Sequence, residues 1–596
     1  MRRVLLQTPR FMQPQQQTQR SVPTIVRCMR PSASRSSSES TRAAACFSST
    51  PAGPSPSISL TPSESQLFDF LLYIQHLYAP STQLRVAGGW VRDKLRGAES
   101  EDIDIVLDNL YGRQFAQLIT RFQRERRLPL SSVGVVKANA DKSKHLEVAQ
   151  VRVEGLMVDL VHLRGEQYAP DSRIPSHTSF VAPHEDALRR DITINALFYN
   201  LHTREVEDWT GRGLADLRDG VIRTPLAPLQ TFLDDPLRVL RVVRFAAEFG
   251  FRVDAEIDAA LRAHAAIRDA MRRKVSRERV GTEVRKMLSG ADPTRAFALL
   301  ADLELLDVVF HSDDDSAAVD GSTSVVDAET ARAWRQRFPW TRDVAARAER
   351  HLAHLQASRL STHQHAVSFV ESTAALLAPF LLPTHHAHAL QTALDAAALT
   401  TESSCRWTQR VTEPQLATAA LEALARRDRV LASLPLDAVV ELLKTNLKWP
   451  KPAAKRIALI LEALATFPTA CADHDESAFH VELFLWSRRY HDVLSPAIAI
   501  LLTELPEPER VTLVATLDAV THAMSKGDAA VNGTARRRVD GQAIRSRLGG
   551  QAGRAIAVAL EVLSVWEFVW PEGSVEDELA FLDGLKPQLE VVERTR

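Results

Sequence analysis

The chain is short of cysteine, of net charge and of long apolar runs, and each shortage removes a class of function. Its four cysteines, Cys28, Cys46, Cys405 and Cys471, show no C-x-x-C spacing. That argues against a zinc site or a disulfide framework and predicts a reducing compartment. Lys+Arg 73 against Asp+Glu 74 leaves a formal net charge of -1 over 596 residues. Any affinity for nucleic acid must therefore come from a local basic patch rather than from bulk charge. No apolar run approaches the roughly 20 residues of a membrane span, so no membrane partner is expected. Acid is missing from Met1 to Ser38, where Arg2, Arg3, Arg10, Arg20, Arg27, Arg30 and Arg35 stand among Ser, Gln and Pro. This composition predicts a mitochondrial transit peptide over residues 1–50, with Met12 and Met29 as alternative starts for cytoplasmic or nuclear forms.

What is present is ordinary globular material, 45% hydrophobic and 25% charged, long enough for three or four domains. A Pro/Ser linker over 51–62 ends in Thr61-Pro62, a helix N-cap followed by proline. Leu67, Phe70, Leu71, Ile74 and Leu77 then recur at helical spacing. Strand-like runs (Ile103–Leu107, Glu147–Val153, Met157–Leu163) mix with helical ones (Gly112–Arg124, Glu185–Ala196) up to about Asn200. From Pro236 onward the pattern is helical, interrupted by an acidic, Ser-rich stretch at about 311–329 that reads as a disordered insertion.

Three constellations carry chemistry. In Asp102-Ile103-Asp104-Ile105-Val106, acidic and apolar residues alternate, so both carboxylates lie on one face of a strand. Such a pair can hold Mg²⁺ if substrate phosphates complete the shell. Upstream, Gly88-Gly89 suits a tight turn whose backbone N–H groups approach phosphate, with Arg92 and Arg96 as cations nearby. The second constellation is Arg189-Arg190-Asp191-Ile-Thr-Ile-Asn195. Paired guanidinium groups match a polyphosphate, Asp191 can accept from a ribose hydroxyl, and Asn195 would share its helical face. The third is Asp234-Asp235-Pro236-Leu237-Arg238-Val-Leu-Arg241. On a helix the two acids and two arginines would cluster on one side, although Asp235 before Pro236 also fits an N-cap.

Together with Asp216-Leu217-x-x-Gly220-x-Ile222-Arg223-Thr224-Pro225, these motifs resemble the class II tRNA nucleotidyltransferases, the CCA-adding enzymes that share ancestry with bacterial poly(A) polymerases. Tyr168-x-x-Asp171-Ser-Arg-Ile-Pro175 and Ser276-Arg277-Glu278-Arg279-Val280-Gly281 are similar to the eukaryotic branch. The resemblance is close over about residues 65–310 and diffuse beyond. It implies an α+β chain: a mixed α/β nucleotidyltransferase head with a small sheet over 63–215, followed by an all-α neck over 216–290 and a helical body and tail over 291–596. The Asp216–Gly220 stretch would be a hinge.

The resemblance also implies roles. Asp102 and Asp104 would hold two Mg²⁺ ions, with Asp159 as a possible third carboxylate. Arg92, Arg190 and Arg241 would clamp the triphosphate, and Gly88, Gly89, Arg189, Asp191 and Asn195 would complete the nucleotide contacts. Asp235 and Arg238 would read the incoming base. Asp234, where many bacterial relatives carry the longer Glu, would contribute less. Arg272, Arg273, Lys274, Arg277 and Arg279, with Arg268, Arg285 and Lys286, would contact tRNA phosphates. The implied activity is addition of C, C and A to tRNA 3′ ends from CTP and ATP. A poly(A) polymerase and a catalytically inactive RNA-binding protein are the alternatives.

Overall fold

The computed structural model describes residues 56–100, 102–136, 148–168, 175–310, 338–361, 368–382, 407–468, 476–505, 539–549 and 553–594, with positions 336, 510, 513, 514 and 517. The expected transit peptide, the acidic insertion and most of the Tyr168–Pro175 motif lie outside the described residues. The chain divides into two compact units. The first runs to Gly165 and includes Ser179–Asp186 and Leu197–Trp209; the second takes Glu166–Thr178, Ala187–Ala196 and everything from Thr210.

The first unit is built on strands β1 (Leu84–Ala87), β2 (Ile103–Leu107), β3 (Val133–Val136), β4 (Val148–Val153) and β5 (Leu156–His162). After β6 (Arg164–Tyr168) and β7 (Pro175–Phe180), which form a separate two-stranded sheet, β8 (Leu197–Asn200) and β9 (Glu205–Asp208) complete it. The seven-stranded order is β3-β4-β5-β2-β1-β8-β9. β2 runs antiparallel to β1 and parallel to β5.

Register sorts the side chains into two faces. Val86, Ile105, Leu160 and Ala149 align across four strands and are buried. Helices α1 (Pro62–Tyr78) and α3 (Gly112–Glu125) cover this apolar face. Phe68 of α1 meets Tyr199, and Gly112 of α3 lies so close to the Leu160 backbone that a Cβ would stand 1.9 Å from its oxygen. The intervening row, Ala87, Asp104, Asp159 and Gln150, points the other way. The expected cap of α1 is present as a full capping box between Thr61 and Glu64. Leu67, Phe70, Leu71 and Ile74 are buried as their spacing predicts, whereas Leu77 is 43% exposed.

Two sequence expectations need correction. The helical run at 185–196 is not one helix: α4 (Pro183–Leu188) stops, and a single 3₁₀ turn at Thr193–Asn195 leads into β8. Nor do the acids of the third motif share a helix with its arginines. After α5 (Gly213–Asp219) and β10 (Val221–Ile222), α6 (Pro228–Asp234) ends at Asp234, and α7 (Leu237–Phe249) starts beyond Pro236. Asp235 takes φ -134°, ψ 99°, the extended backbone that a following proline favours.

The second unit continues through β11 (Arg252–Val253), α8 (Ala255–Ala263), α9 (Ala265–Lys274), α10 (Arg277–Leu288), α11 (Pro293–Asp302) and α12 (Leu306–Phe310). Its further helices include Arg342–Ser361, Glu413–Ser433, Lys451–Ala465, Gly553–Val569 and Val575–Arg594. One hydrophobic core extends from Ile192 and Ile194 to Leu589. Burial of those two isoleucines explains why the Ala187–Ala196 segment, expected to belong wholly to the head, groups with the helices.

Candidate active site

The candidate site residues fall into two sets, one in each unit. In the first, Asp104 sits on β2 beside Asp159 of β5, with Ala87 on its other flank. Asp102, just before the strand, has the parity of Asp104 and is exposed, while Asp104 and Asp159 are half-buried. Gln150 Nε2 donates to Asp159 Oδ1 at 3.0 Å, which holds that carboxylate in the row. Among the described residues no group of three or more His, Cys, Asp or Glu is arranged to hold a metal ion by itself. The arrangement is therefore a carboxylate pair that needs outside ligands. Carboxylate oxygens are the hard donors Mg²⁺ prefers, and substrate phosphate oxygens would have to complete its shell.

The glycine turn follows β1. Gly88 adopts φ 78°, ψ -132°, a conformation closed to residues with a Cβ, and its N–H donates to Leu197 O at 3.1 Å. It opens α2 (Gly89–Leu95), whose Arg92 is buried. Arg92 donates Nε and Nη2 to Asp93 at 2.9 and 2.8 Å, and Arg96 approaches the same carboxylate at 3.6 Å. Asp93 thus orients both cations expected to meet phosphate.

In the second unit, α7 is tied to the 189–195 segment at two points. Arg241 donates Nε and Nη2 to Asp191 Oδ2, both at 2.7 Å. Asp191 Oδ1 accepts from Ile192 N–H at 2.9 Å and Asn195 Nδ2 at 3.1 Å. Burial alone would raise the Asp191 carboxyl; Arg241, Asn195 and the field of Arg238 outweigh it and hold it at about 2. Asp191, in turn, pushes the Arg241 guanidinium up. Four donors occupy the lone pairs with which Asp191 was expected to meet a ribose, and Arg241, expected on the triphosphate, is committed to Asp191.

The second tie is Arg238, which is 8% exposed and donates Nη2 to Arg189 O at 2.6 Å and Nη1 to Thr231 O at 3.4 Å. A guanidinium has five N–H groups, so donors remain on a side chain whose plane is fixed. The Arg238 backbone N–H donates to the Asp235 backbone O at 3.0 Å, but the Asp235 carboxylate pairs elsewhere than with the Arg238 guanidinium. Asp235 Oδ1 accepts from Leu237 N–H at 3.2 Å, as an N-cap would, and Arg279 Nη2 meets its Oδ2 at 3.1 Å. Asp234 is half-buried at the end of α6, and Arg190 donates Nη1 to Asn195 O at 3.1 Å.

The basic run separates into three kinds of residue. Arg273 is exposed, whereas Arg272 pairs with Asp269 at 3.1 Å and Lys274 donates to Leu233 O at 3.1 Å. Arg277 contradicts its expected phosphate contact. It is buried, donates Nε to Asn446 O at 2.7 Å and Nη1 to Val308 O at 2.9 Å, and gives Nη2 to Val309 O. Burial lowers it to about 10. It is an internal strut, and helical spacing could not distinguish it from Arg273.

A further network joins Thr193, Asp216, Arg223 and Asp254. Thr193 Oγ1 donates to Asp216 Oδ2 at 2.7 Å, Arg223 Nε donates to Asp216 Oδ1 at 3.2 Å, and Arg223 Nη1 reaches Asp254 at 2.7 Å. Asp216 and Arg223 stand at fixed spacing in one motif, but their partners Thr193 and Asp254 come from elsewhere in the chain, so only tertiary structure reveals the network.

A mixed sheet carrying Asp104 beside a glycine turn, followed by a helical array, is the arrangement in which the chain resembles known proteins. Residues 84–223 match the poly A polymerase head domain, and residues 250–313 match the probable RNA and SrmB-binding site of polymerase A. Over these residues the chain is similar to the tRNA nucleotidyltransferase/poly(A) polymerase family. It is 46% identical over 275 residues to the mitochondrial CCA tRNA nucleotidyltransferase of Saccharomyces cerevisiae, covering 44% of this chain and 50% of that protein. It is 35% identical over 174 residues to poly(A) polymerase I of Escherichia coli, covering 29% of this chain and 35% of that protein. The chain thus matches only about half the length of its curated relatives. The fold is similar to the apo form II structure of a CCA-adding enzyme, with TM-score 0.51 and 17% identity over 87% of this chain and 95% of the other.

Proposed function

We propose that this chain adds C, C and A to the 3′ end of tRNA from CTP and ATP, without a nucleic-acid template, releasing pyrophosphate. The carrying observation is the fixed pair of readers beside α7, a carboxylate at Asp235 and a guanidinium at Arg238, in a chain that also holds the Asp102/Asp104 pair. Cytosine and adenine each present an amine donor beside a ring-nitrogen acceptor. A carboxylate accepts from the amine, and a guanidinium donates to the ring nitrogen. Uracil and guanine present the reverse order, and each mismatched contact costs roughly 1–3 kcal/mol. Arg279 holds the Asp235 carboxylate, and the Arg189 and Thr231 carbonyls hold Arg238, so the readers are ordered before a base arrives.

The reaction joins the RNA 3′-oxygen to the α-phosphorus of the nucleotide, breaks the bond to the β-phosphate oxygen and loses the hydroxyl proton. Asp102 and Asp104 would hold Mg²⁺, which when bound acidifies that hydroxyl and offsets charge on the leaving pyrophosphate. The Gly89 N–H at the start of α2 and Arg92 supply donors for the triphosphate, and exposed Arg273 suits a tRNA phosphate. The basic, acid-free N-terminal stretch and the mitochondrial yeast relative support a mitochondrial location.

The identity to a poly(A) polymerase supports a second reading, addition of A alone. Incubation with tail-less tRNA, Mg²⁺ and each nucleotide, singly and together, separates them. CTP with ATP should yield a tail that stops after C, C and A. Long A tracts from ATP alone would favour the polymerase, and incorporation of nothing would leave an RNA-binding protein. Arg238→Ala should relax base choice more than it weakens triphosphate binding; a uniform rate loss with base choice intact would remove the templating assignment.

A further inference from the structure

We infer that Glu64, in the first turn of α1, is a positioning residue that sets the orientation of α2 and thereby of the glycine turn and Arg92. This rests on the nucleotidyl-transfer reading above, in which those groups bind triphosphate.

Glu64 is 4% exposed and grips α2 at two places. Its Oε1 accepts from Trp90 Nε1–H at 2.8 Å, and its Oε2 meets Lys94 Nζ at 3.0 Å. Trp90 and Lys94 are four residues apart and therefore lie on one side of the helix, so a single carboxylate restrains both. Oε2 also accepts from Thr61 N–H at 2.8 Å, which anchors the carboxylate to the start of α1.

The rest of the cluster is equally closed. The Lys94 side chain is 4% exposed and also reaches Glu99 at 2.5 Å. Trp90 is fully buried, its ring 5.6 Å from Phe68 at 77° and 5.7 Å from Tyr199. Burial would raise the Glu64 carboxyl, but the Thr61 N–H, Trp90 and Lys94 outweigh it and hold it below its ordinary value. The carboxylate is therefore ionised where it grips α2.

The need for such a restraint follows from α2 itself. It has seven residues, and Gly88 at its N-cap supplies no side-chain hydrogen bond. A helix this short does not hold its own orientation. Rotation about its axis would swing the Gly89 N–H and Arg92 together, and the Glu64 contacts to Trp90 and Lys94 oppose that rotation. Glu64 touches no reacting atom; it acts through α2.

The test uses the full-length chain with saturating tail-less tRNA and varied CTP. For Glu64→Ala the KM for CTP should rise roughly tenfold with kcat within about twofold of wild type, as a displaced binding group predicts. Trp90→Phe, which keeps the ring and loses the N–H, should move KM in the same direction by less. The dissociation constant of CTP alone, measured by calorimetry, should follow KM. A role confined to folding would lower the active fraction, so that kcat falls at unchanged KM; that result overturns the inference. If Glu64→Ala does not fold, Glu64→Leu with Lys94→Met removes both contacts to α2 and leaves no unpaired buried charge, and an unchanged CTP affinity there also overturns it. Wild-type protein that incorporates no nucleotide would instead fail the nucleotidyl-transfer reading, and this inference with it.

Discussion

Replacing Asp191 by Asn should weaken the second unit by an amount that vanishes in acid. In the folded protein the carboxyl stands at about 2 against an ordinary 3.8. At about 1.4 kcal/mol per decade, that difference corresponds to about 2 kcal/mol of pH-linked stability. Asn keeps an oxygen for Ile192 N–H or Asn195 but leaves Arg241, two-thirds buried, without its charge partner. Breaking a buried pair from one side costs about 3–5 kcal/mol, so a loss of about 2–4 kcal/mol at pH 7 is expected. The sign follows from the depressed value. The contribution is fully present above about 3.8, where the unfolded carboxyl is ionised too, and is lost as pH falls through about 2. Urea denaturation followed by circular dichroism, for wild type and Asp191→Asn at pH 7 and at decreasing pH, measures the gap between them. The reasoning fails if the gap at pH 7 is below about 0.5 kcal/mol, within the range of an ordinary surface substitution. It fails equally if the gap is as wide near pH 2.5 as at pH 7.

Other outcomes follow from particular contacts. Asp102→Ala and Asp104→Ala should each abolish nucleotide incorporation while filter binding of tRNA stays near wild type; matched loss of both would mean a structural role. Arg277→Met strips donors from the Asn446, Val308 and Val309 carbonyls and should cost about 3 kcal/mol or more in urea denaturation, since each buried acceptor left unpaired costs about 1–3 kcal/mol. The salt dependence of its tRNA binding should match wild type, whereas Arg273→Ala should flatten the log–log slope by about 1. A Cβ on Gly281 would stand 1.8 Å from Leu447 O, so Gly281→Ala should lower the melting temperature through a backbone shift costing about 1–3 kcal/mol. An unchanged melting temperature would show that the α10 contact yields freely.

The sequence by itself determined what depends on near neighbours along the chain. The strand-like run Ile103–Leu107 coincides with β2, and its alternation puts Asp104 on the face opposite Ile105, because a strand's side chains must alternate. Thr61-Pro62 before an apolar run was a legible helix start; the capping-box spacing from Thr61 to Glu64, three residues on, was the available signal for Glu64, which the motifs did not include. Tertiary structure decided every pairing between distant segments. Asp191 meets Arg241, fifty residues on, and Asp235 turns from nearby Arg238 to Arg279, because Pro236 keeps Asp235 extended and off α7. It also decided which member of one basic run faces inward: Arg277 fills its donors with carbonyls from 308, 309 and 446, while Arg273 stays in water. Residue type and spacing fix which bonds a side chain can make, whereas its partner depends on which distant segment the core brings within about 3 Å.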